Sequence, residues 1–166
     1  LEIGFGTGLN ALLTLIHSKK KIQYNTLEPY PITEDVYKML NYSKLITSDE
    51  ETFLKLHSSD WERNVSLFRN FNLQKTKTKL QDFESSEKFD IIYFDAFAPE
   101  KQPEMWTKEV FEKCYKILDS EGFLVTYCAK GVVKRTLKSV GFEIENLKGP
   151  PGKREMIRAN KTTFQK

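Results

Sequence analysis

Cysteine is nearly missing from this chain: there are two in 166 residues, Cys114 and Cys128. Neither sits in a CxxC or Cys/His spacing, so no thiol metal site is indicated and a reducing cytoplasm is the default compartment. Both read as small core residues. Histidine is equally scarce, and His17 and His57 have no ligand-spaced companions, so no metal is expected. No apolar run reaches the roughly 18 residues of a membrane span, and no segment resembles a signal peptide. Internal repeats and interdomain linkers are also missing. What remains is ordinary for one soluble globular domain: 39% hydrophobic and 30% charged residues, with a generous aromatic share of 13%.

The most informative stretch is the first ten residues, LEIGFGTGLN. An apolar run containing an acid gives way to three alternating glycines and then to a helical segment, Leu9 to His17. That order reads as strand, tight turn, helix, the nucleotide or nucleoside cradle of a doubly wound α/β sheet. Glycines there let the backbone take positive φ and approach a ligand closely. A dinucleotide fingerprint needs its third glycine at position 9, where Leu9 stands. The pattern present is Glu2-x-Gly4-x-Gly6-x-Gly8, which resembles motif I of S-adenosylmethionine-dependent methyltransferases. A plain tight connection is the competing reading. Only Leu1 to Ile3 precede the turn, short of a typical strand, so further amino-terminal sequence is expected.

Along the chain, Ile22 to Leu27 reads as a second strand ending in Glu28-Pro29-Tyr30-Pro31. An acid at that strand end is placed to accept hydrogen bonds from ribose hydroxyls. Residues 32 to about 72 look helical, with candidate N-caps at Thr47-Ser48-Asp49 and Ser58-Ser59-Asp60. Lys75 to Leu80 alternates as an outer strand. Asp82 follows where methyltransferases of this kind often place an acid near the adenine amino group; a turn-forming Asp is the alternative. Phe89 to Phe94 is the clearest buried strand, and it runs into Asp95-Ala96-Phe97-Ala98-Pro99. Chemistry gathers at carboxyl ends of strands in open α/β sheets, which makes Asp95 the leading catalytic candidate. A helix at Thr107–Leu118, a turn at 119–122, a strand from Phe123, a basic helix at Val132–Val140 and strands at 141–147 and 156–159 complete the reading.

Charge is unevenly spread. The net value is +3, yet residues 129–166 carry ten Lys and Arg against three Asp and Glu. That asymmetry points to an anionic partner, or to a solvated basic face.

Several blocks in order carry a family resemblance: LEIGFGTGLN, LEPYP, YFDAFAPEKQPEMW and LVTYCAKGVVKRTLKSVGFEIENLKGPPGKREM. Together they resemble the tRNA 5-methylaminomethyl-2-thiouridine methyltransferases, the MnmC amino-terminal domain or its stand-alone MnmD form. The resemblance implies a class I S-adenosylmethionine-dependent methyltransferase fold, Rossmann-like, with a mostly parallel seven-stranded sheet and helices on both faces. It would occupy residues 1–160, leaving 161–166 as a tail. It implies S-adenosyl-L-methionine as donor and, as acceptor, the primary amine of 5-aminomethyl-2-thiouridine in a tRNA anticodon loop. Matching positions make Glu2, Gly4, Gly6, Gly8, Asn10, Glu28 and Asp82 the cofactor set and Asp95 the active-site acid. No FAD-dependent domain and no membrane partner are expected.

A splayed uridine can stack on an aromatic ring. Phe97, Trp106 and Tyr127 are candidates, each with a core role as the alternative. Lys130, Lys134, Arg135, Lys153 and Arg154 would meet phosphates. Methylation of another RNA or a small amine, a nucleotide-dependent oxidoreductase and a catalytically silent RNA-binding module are the rival functions.

Overall fold

The computed structural model describes residues 1–46 and 49–162. They form two compact units, one within residues 2–79 and one of Leu1 with residues 80–162.

The first unit begins with β1 (Glu2–Ile3), α1 (Leu9–His17) and β2 (Ile22–Leu27), continues through the short helices α2 (Glu34–Tyr37) and α3 (Tyr42–Leu45), and then α4 (Glu50–Ser58), β3 (Asn64–Phe68) and β4 (Phe71–Thr76). Its strands lie in the order β3-β4-β2-β1. β2 is parallel to β1 and to β4, with Leu27 opposite both Ile3 and Thr76, while β3 runs antiparallel to β4. β2 is buried over its last four residues, and Leu12, Leu27, Phe53, Leu56 and Leu73 form the core.

The second unit holds β5 (Phe89–Phe94), a 3-10 turn (Pro103–Met105), α5 (Lys108–Ile117), β6 (Leu118–Thr126), α6 (Gly131–Val140), β7 (Phe142–Lys148) and β8 (Glu155–Lys161). Its strand order is β5-β6-β8-β7, parallel for β5–β6 and antiparallel for the rest. Leu1 belongs here: its amino group donates to Ile91 O at 2.8 Å and its carbonyl accepts from Tyr93 N at 2.8 Å. Thr107 caps α5 by accepting from Val110 N, and Gly141, at φ 111°, ends α6 in the left-handed conformation. The register slips between Phe89 and Ile91, where β6 passes so close that a Cβ on Gly122 would lie 2.9 Å from Phe89 O. Cys114 and Cys128 are both free thiols and buried, and burial pushes the Cys114 thiol up to about 12.

The described residues contain eight strands, one more than the expected seven; β3 is the addition. It falls inside residues 32–72, read above as helical, and that reading is corrected. Asn64–Phe68 is held extended by cross-strand pairing with β4, a tertiary influence that local propensity does not carry. The strand expected at Lys75–Leu80 is instead Phe71–Thr76, and it is not an outer strand: β3 takes the edge, β4 pairs on both sides, and Lys75 is buried with Phe71 and Leu73. Ser58-Ser59-Asp60 closes α4 instead of opening a helix, with Ser59 as its C-cap. Asp49 does cap α4, accepting from Thr52 N at 2.6 Å; Thr47 and Ser48 lie outside the described residues, as do 163–166 of the expected tail. Among the described residues no helix is long and apolar enough to cross a membrane.

Candidate active site

The glycine turn is built as its sequence requires. Gly4, Gly6 and Gly8 have φ of 90°, 49° and 72°, a region closed to most side chains. Gly4 N donates to Leu27 O at 2.9 Å, and Gly8 N to Phe5 O at 2.8 Å. Gly6 faces open space: no atom lies within 4 Å of where a Cβ would stand, so a ligand can approach its backbone. Gly6 N also donates to Glu28 Oε2 at 3.0 Å, and Tyr30 N donates to Glu28 Oε1 at 2.9 Å. The turn and the acid at the end of β2 are therefore one hydrogen-bonded piece. Each carboxylate oxygen retains a second lone pair for a hydroxyl donor such as a ribose.

Glu2 is fully buried, and its Oε2 accepts from Thr26 Oγ1 at 2.7 Å. The structure places it beneath the turn as a brace for β1 and β2. Asn10 stands in the first turn of α1, half-buried. Asp82 belongs to the other unit, where its side chain is exposed within a turn closed by Phe83 N donating to Leu80 O at 3.2 Å. The turn-forming role that the sequence left open is the one visible.

In the second unit β5 delivers Asp95 to its carboxyl end, exposed, one residue beyond fully buried Phe94. The loop after it is latched at three points. Tyr127 OH donates to Ala96 O at 2.9 Å, Trp106 Nε1 to Phe97 O at 2.8 Å, and Phe97 N to Gln102 Oε1 at 3.2 Å. This explains why Gln102 and Trp106 belong to the same block as Asp95: they hold its backbone. The role of Gln102 was not foreseen, and its five-residue spacing from Phe97 was the available signal.

Trp106 must be reassigned. It is buried, with its ring 5.2 Å from Phe94 and edge-on to it, so it is a core latch and not a stacking platform. Phe97 is the opposite case, 75% exposed on the loop. Tyr127 is half-buried beneath Lys153, whose Nζ stands 3.8 Å from the ring centroid. Burial, with Cys128, Asp95 and Glu100 nearby, raises the phenol above its ordinary value, so it remains a protonated donor to Ala96 O.

The basic candidates divide. Lys130 is paired with Glu100, and Lys134 with Glu155 at 3.0 Å. Lys153 and Arg154 project from a tight turn in which Lys153 N donates to Pro150 O at 2.9 Å and Gly152 has φ 87°. A Cβ on Gly149 would lie 2.5 Å from Lys153 O, so that turn tolerates only glycine there.

A parallel strand pair crossed by a glycine turn, with an acid at the next strand end, defines a nucleoside-binding α/β protein. The class becomes specific by comparison. This chain belongs to the S-adenosyl-L-methionine-dependent methyltransferase family, whose model matches residues 30–162, downstream of the glycine turn. It is 33% identical to the tRNA 5-methylaminomethyl-2-thiouridine biosynthesis bifunctional protein MnmC of Marinomonas sp., over 93% of this chain and 25% of that protein. It is 31% identical to the MnmC protein of Pseudoalteromonas atlantica, over 94% of this chain and 25% of that one. The crystal structure of MNMC2 from Aquifex aeolicus matches with a TM-score of 0.68 at 19% identity, covering 95% of this chain and 51% of that one. The fold is thus the class I methyltransferase fold, and S-adenosyl-L-methionine is its cofactor. The chain spans about a quarter of the length of the curated relatives it matches.

Proposed function

We propose that residues 1–160 form the methyltransferase domain that methylates the primary amine of 5-aminomethyl-2-thiouridine at the wobble position of tRNA. The observation that carries the reading is the exposed Asp95 carboxylate, on a loop latched by Tyr127, Gln102 and Trp106. The relatives' names and the basic carboxy-terminal stretch support a tRNA acceptor. The open backbone over Gly6 and the Glu28 carboxylate fit the cofactor, with Gly4, Gly8 and Asn10 beside them and Asp82 as a further candidate.

When bound, S-adenosyl-L-methionine supplies an electrophilic methyl group on sulfonium. The acceptor amine must be neutral to attack it, and an aliphatic ammonium has an ordinary pKa of roughly 10.4. Asp95 accepts hydrogen bonds from the amine and so orients its lone pair. The same carboxylate favours the charged ammonium, which opposes attack. Asp95 therefore acts by positioning, and the amine proton leaves to water. Holding nitrogen and methyl in line contributes the larger share of the rate. Phe97 offers a face for the splayed uridine, and Lys130, Lys153 and Arg154 meet the anticodon-loop phosphates, Lys130 after release from Glu100.

The test is transfer of labelled methyl to two tRNAs that differ only in the 5-aminomethyl group. Methylation of the one that carries it, abolished by Asp95→Ala with S-adenosyl-L-methionine still bound, is the expected result. Equal methylation of both would reassign the acceptor to another RNA position. Labelling of a free amine alone would make this a small-amine methyltransferase.

A further inference from the structure

We propose that His57 is a positioning residue for S-adenosyl-L-methionine, holding the Thr7–Gly8 peptide of the glycine turn through an Nε2–H···O=C bond to Thr7. Its Nε2 lies 3.1 Å from Thr7 O. A carbonyl oxygen only accepts, so the proton must be on Nε2. The same peptide is held at its other end, where Gly8 N donates to Phe5 O at 2.8 Å. The plane is thus clamped from both sides, one residue before α1 starts. No side chain caps that helix, so the peptide plane sets the direction in which its first turn points.

The ring is packed on several sides. A Cβ on Gly8 would lie 3.0 Å from His57 Nε2 and 3.2 Å from Phe5 Cζ. Gly8 is therefore required twice, for its φ of 72° and for the room it gives the imidazole. Tyr37 stacks on the other side at 4.6 Å and 16°, and Phe53 meets the ring edge-on at 4.9 Å. The backbone is fixed as well: the fully buried Lys75 Nζ donates to His57 O at 2.6 Å and to Leu56 O at 2.9 Å. Burial, with the Lys75 charge nearby, lowers the imidazole pKa to about 4, which keeps the ring neutral with one N–H to give. A cavity of about 290 Å³, lined by His57, Phe5, Tyr37, Pro31 and Trp61, opens beside this assembly, with Phe5 as the turn's contribution to its wall.

The inference concerns the cofactor and needs no acceptor, so it stands or falls apart from the tRNA reading. The first measurement is the 15N spectrum of the ligand-free protein at neutral pH. A neutral His57 protonated at Nε2 is expected; an Nδ1–H tautomer or an imidazolium would overturn the proposal, with no variant needed. The second is titration of S-adenosylhomocysteine into wild type, His57→Phe and His57→Gln, each checked for its unliganded melting temperature. His57→Phe keeps a ring against Tyr37 and loses the donor, and is expected to bind roughly ten-fold more weakly, the effect of one lost hydrogen bond at a positioned group. His57→Gln carries an N–H at the ε position and is expected to recover most of that loss. Wild-type affinity in His57→Phe, or equal losses in both variants, would show that the hydrogen bond plays no part.

Discussion

His57 and Lys75, both in the first unit, are basic groups taken out of water. Lys75 has its pKa lowered to about 8, chiefly by burial. Its ammonium sits 4.7 Å from the Trp61 ring centroid and on two carbonyls, which offset part of that cost. His57 yields the sharper pH prediction. Its folded pKa lies below the unfolded value near 6.5, so the unfolded chain binds more protons between about 4 and 6.5. The contribution is fully present above 6.5 and is lost as pH falls to about 4, on the order of 3 kcal/mol in all. Denaturant melts of wild type and His57→Gln across pH 4 to 7 should show the acid limb flattened in the variant. Parallel limbs would mean that other groups titrate there.

At the scale of elements, the loop after β5 shows what the sequence disclosed and what it hid. Phe89–Phe94 was readable as a buried strand, because a continuous apolar run leaves few other choices, and with it the position of Asp95 just past the strand's carboxyl end. The side chains that latch the loop were not readable. Trp106 looked equally fit to stack on a base or to fill the core, and only its 2.8 Å bond to Phe97 O and its burial decide for the core. Trp106→Phe keeps the aromatic packing and removes one donor, so it should cost about 1 kcal/mol of stability. It should also lower methyl transfer several-fold, with cofactor affinity unchanged by titration. α1 and β2 were legible to the residue, since a glycine turn and a two-strand unit announce themselves locally. β3 was not, since an edge strand exists only through its partner. His57 gave no signal at all: a lone histidine in a helical stretch looks the same whether it is idle or bonded to a turn fifty residues away.

Across the whole molecule, charge separates along the chain. Ten of the 26 basic residues fall in the last 38 positions, and Lys153 and Arg154 leave the protein from a turn whose shape Gly149 and Gly152 fix. A cation held on a rigid turn loses little freedom on meeting a phosphate. Replacing Lys153 and Arg154 together by Ala should weaken tRNA binding and reduce the slope of log affinity against log salt by roughly 1 to 1.5. Affinity for S-adenosylhomocysteine should stay at the wild-type value. An unchanged slope would remove this turn from the RNA surface.

Both thiols of this protein lie inside its core, and that of Cys114 is held protonated up to about 12. The native surface is therefore chemically silent toward thiol reagents. A cysteine introduced at Phe97, the exposed tip of the Asp95 loop, would be the single addressable handle on the molecule. A fluorophore there would watch the Asp95 loop without competition from the protein's own sulfur.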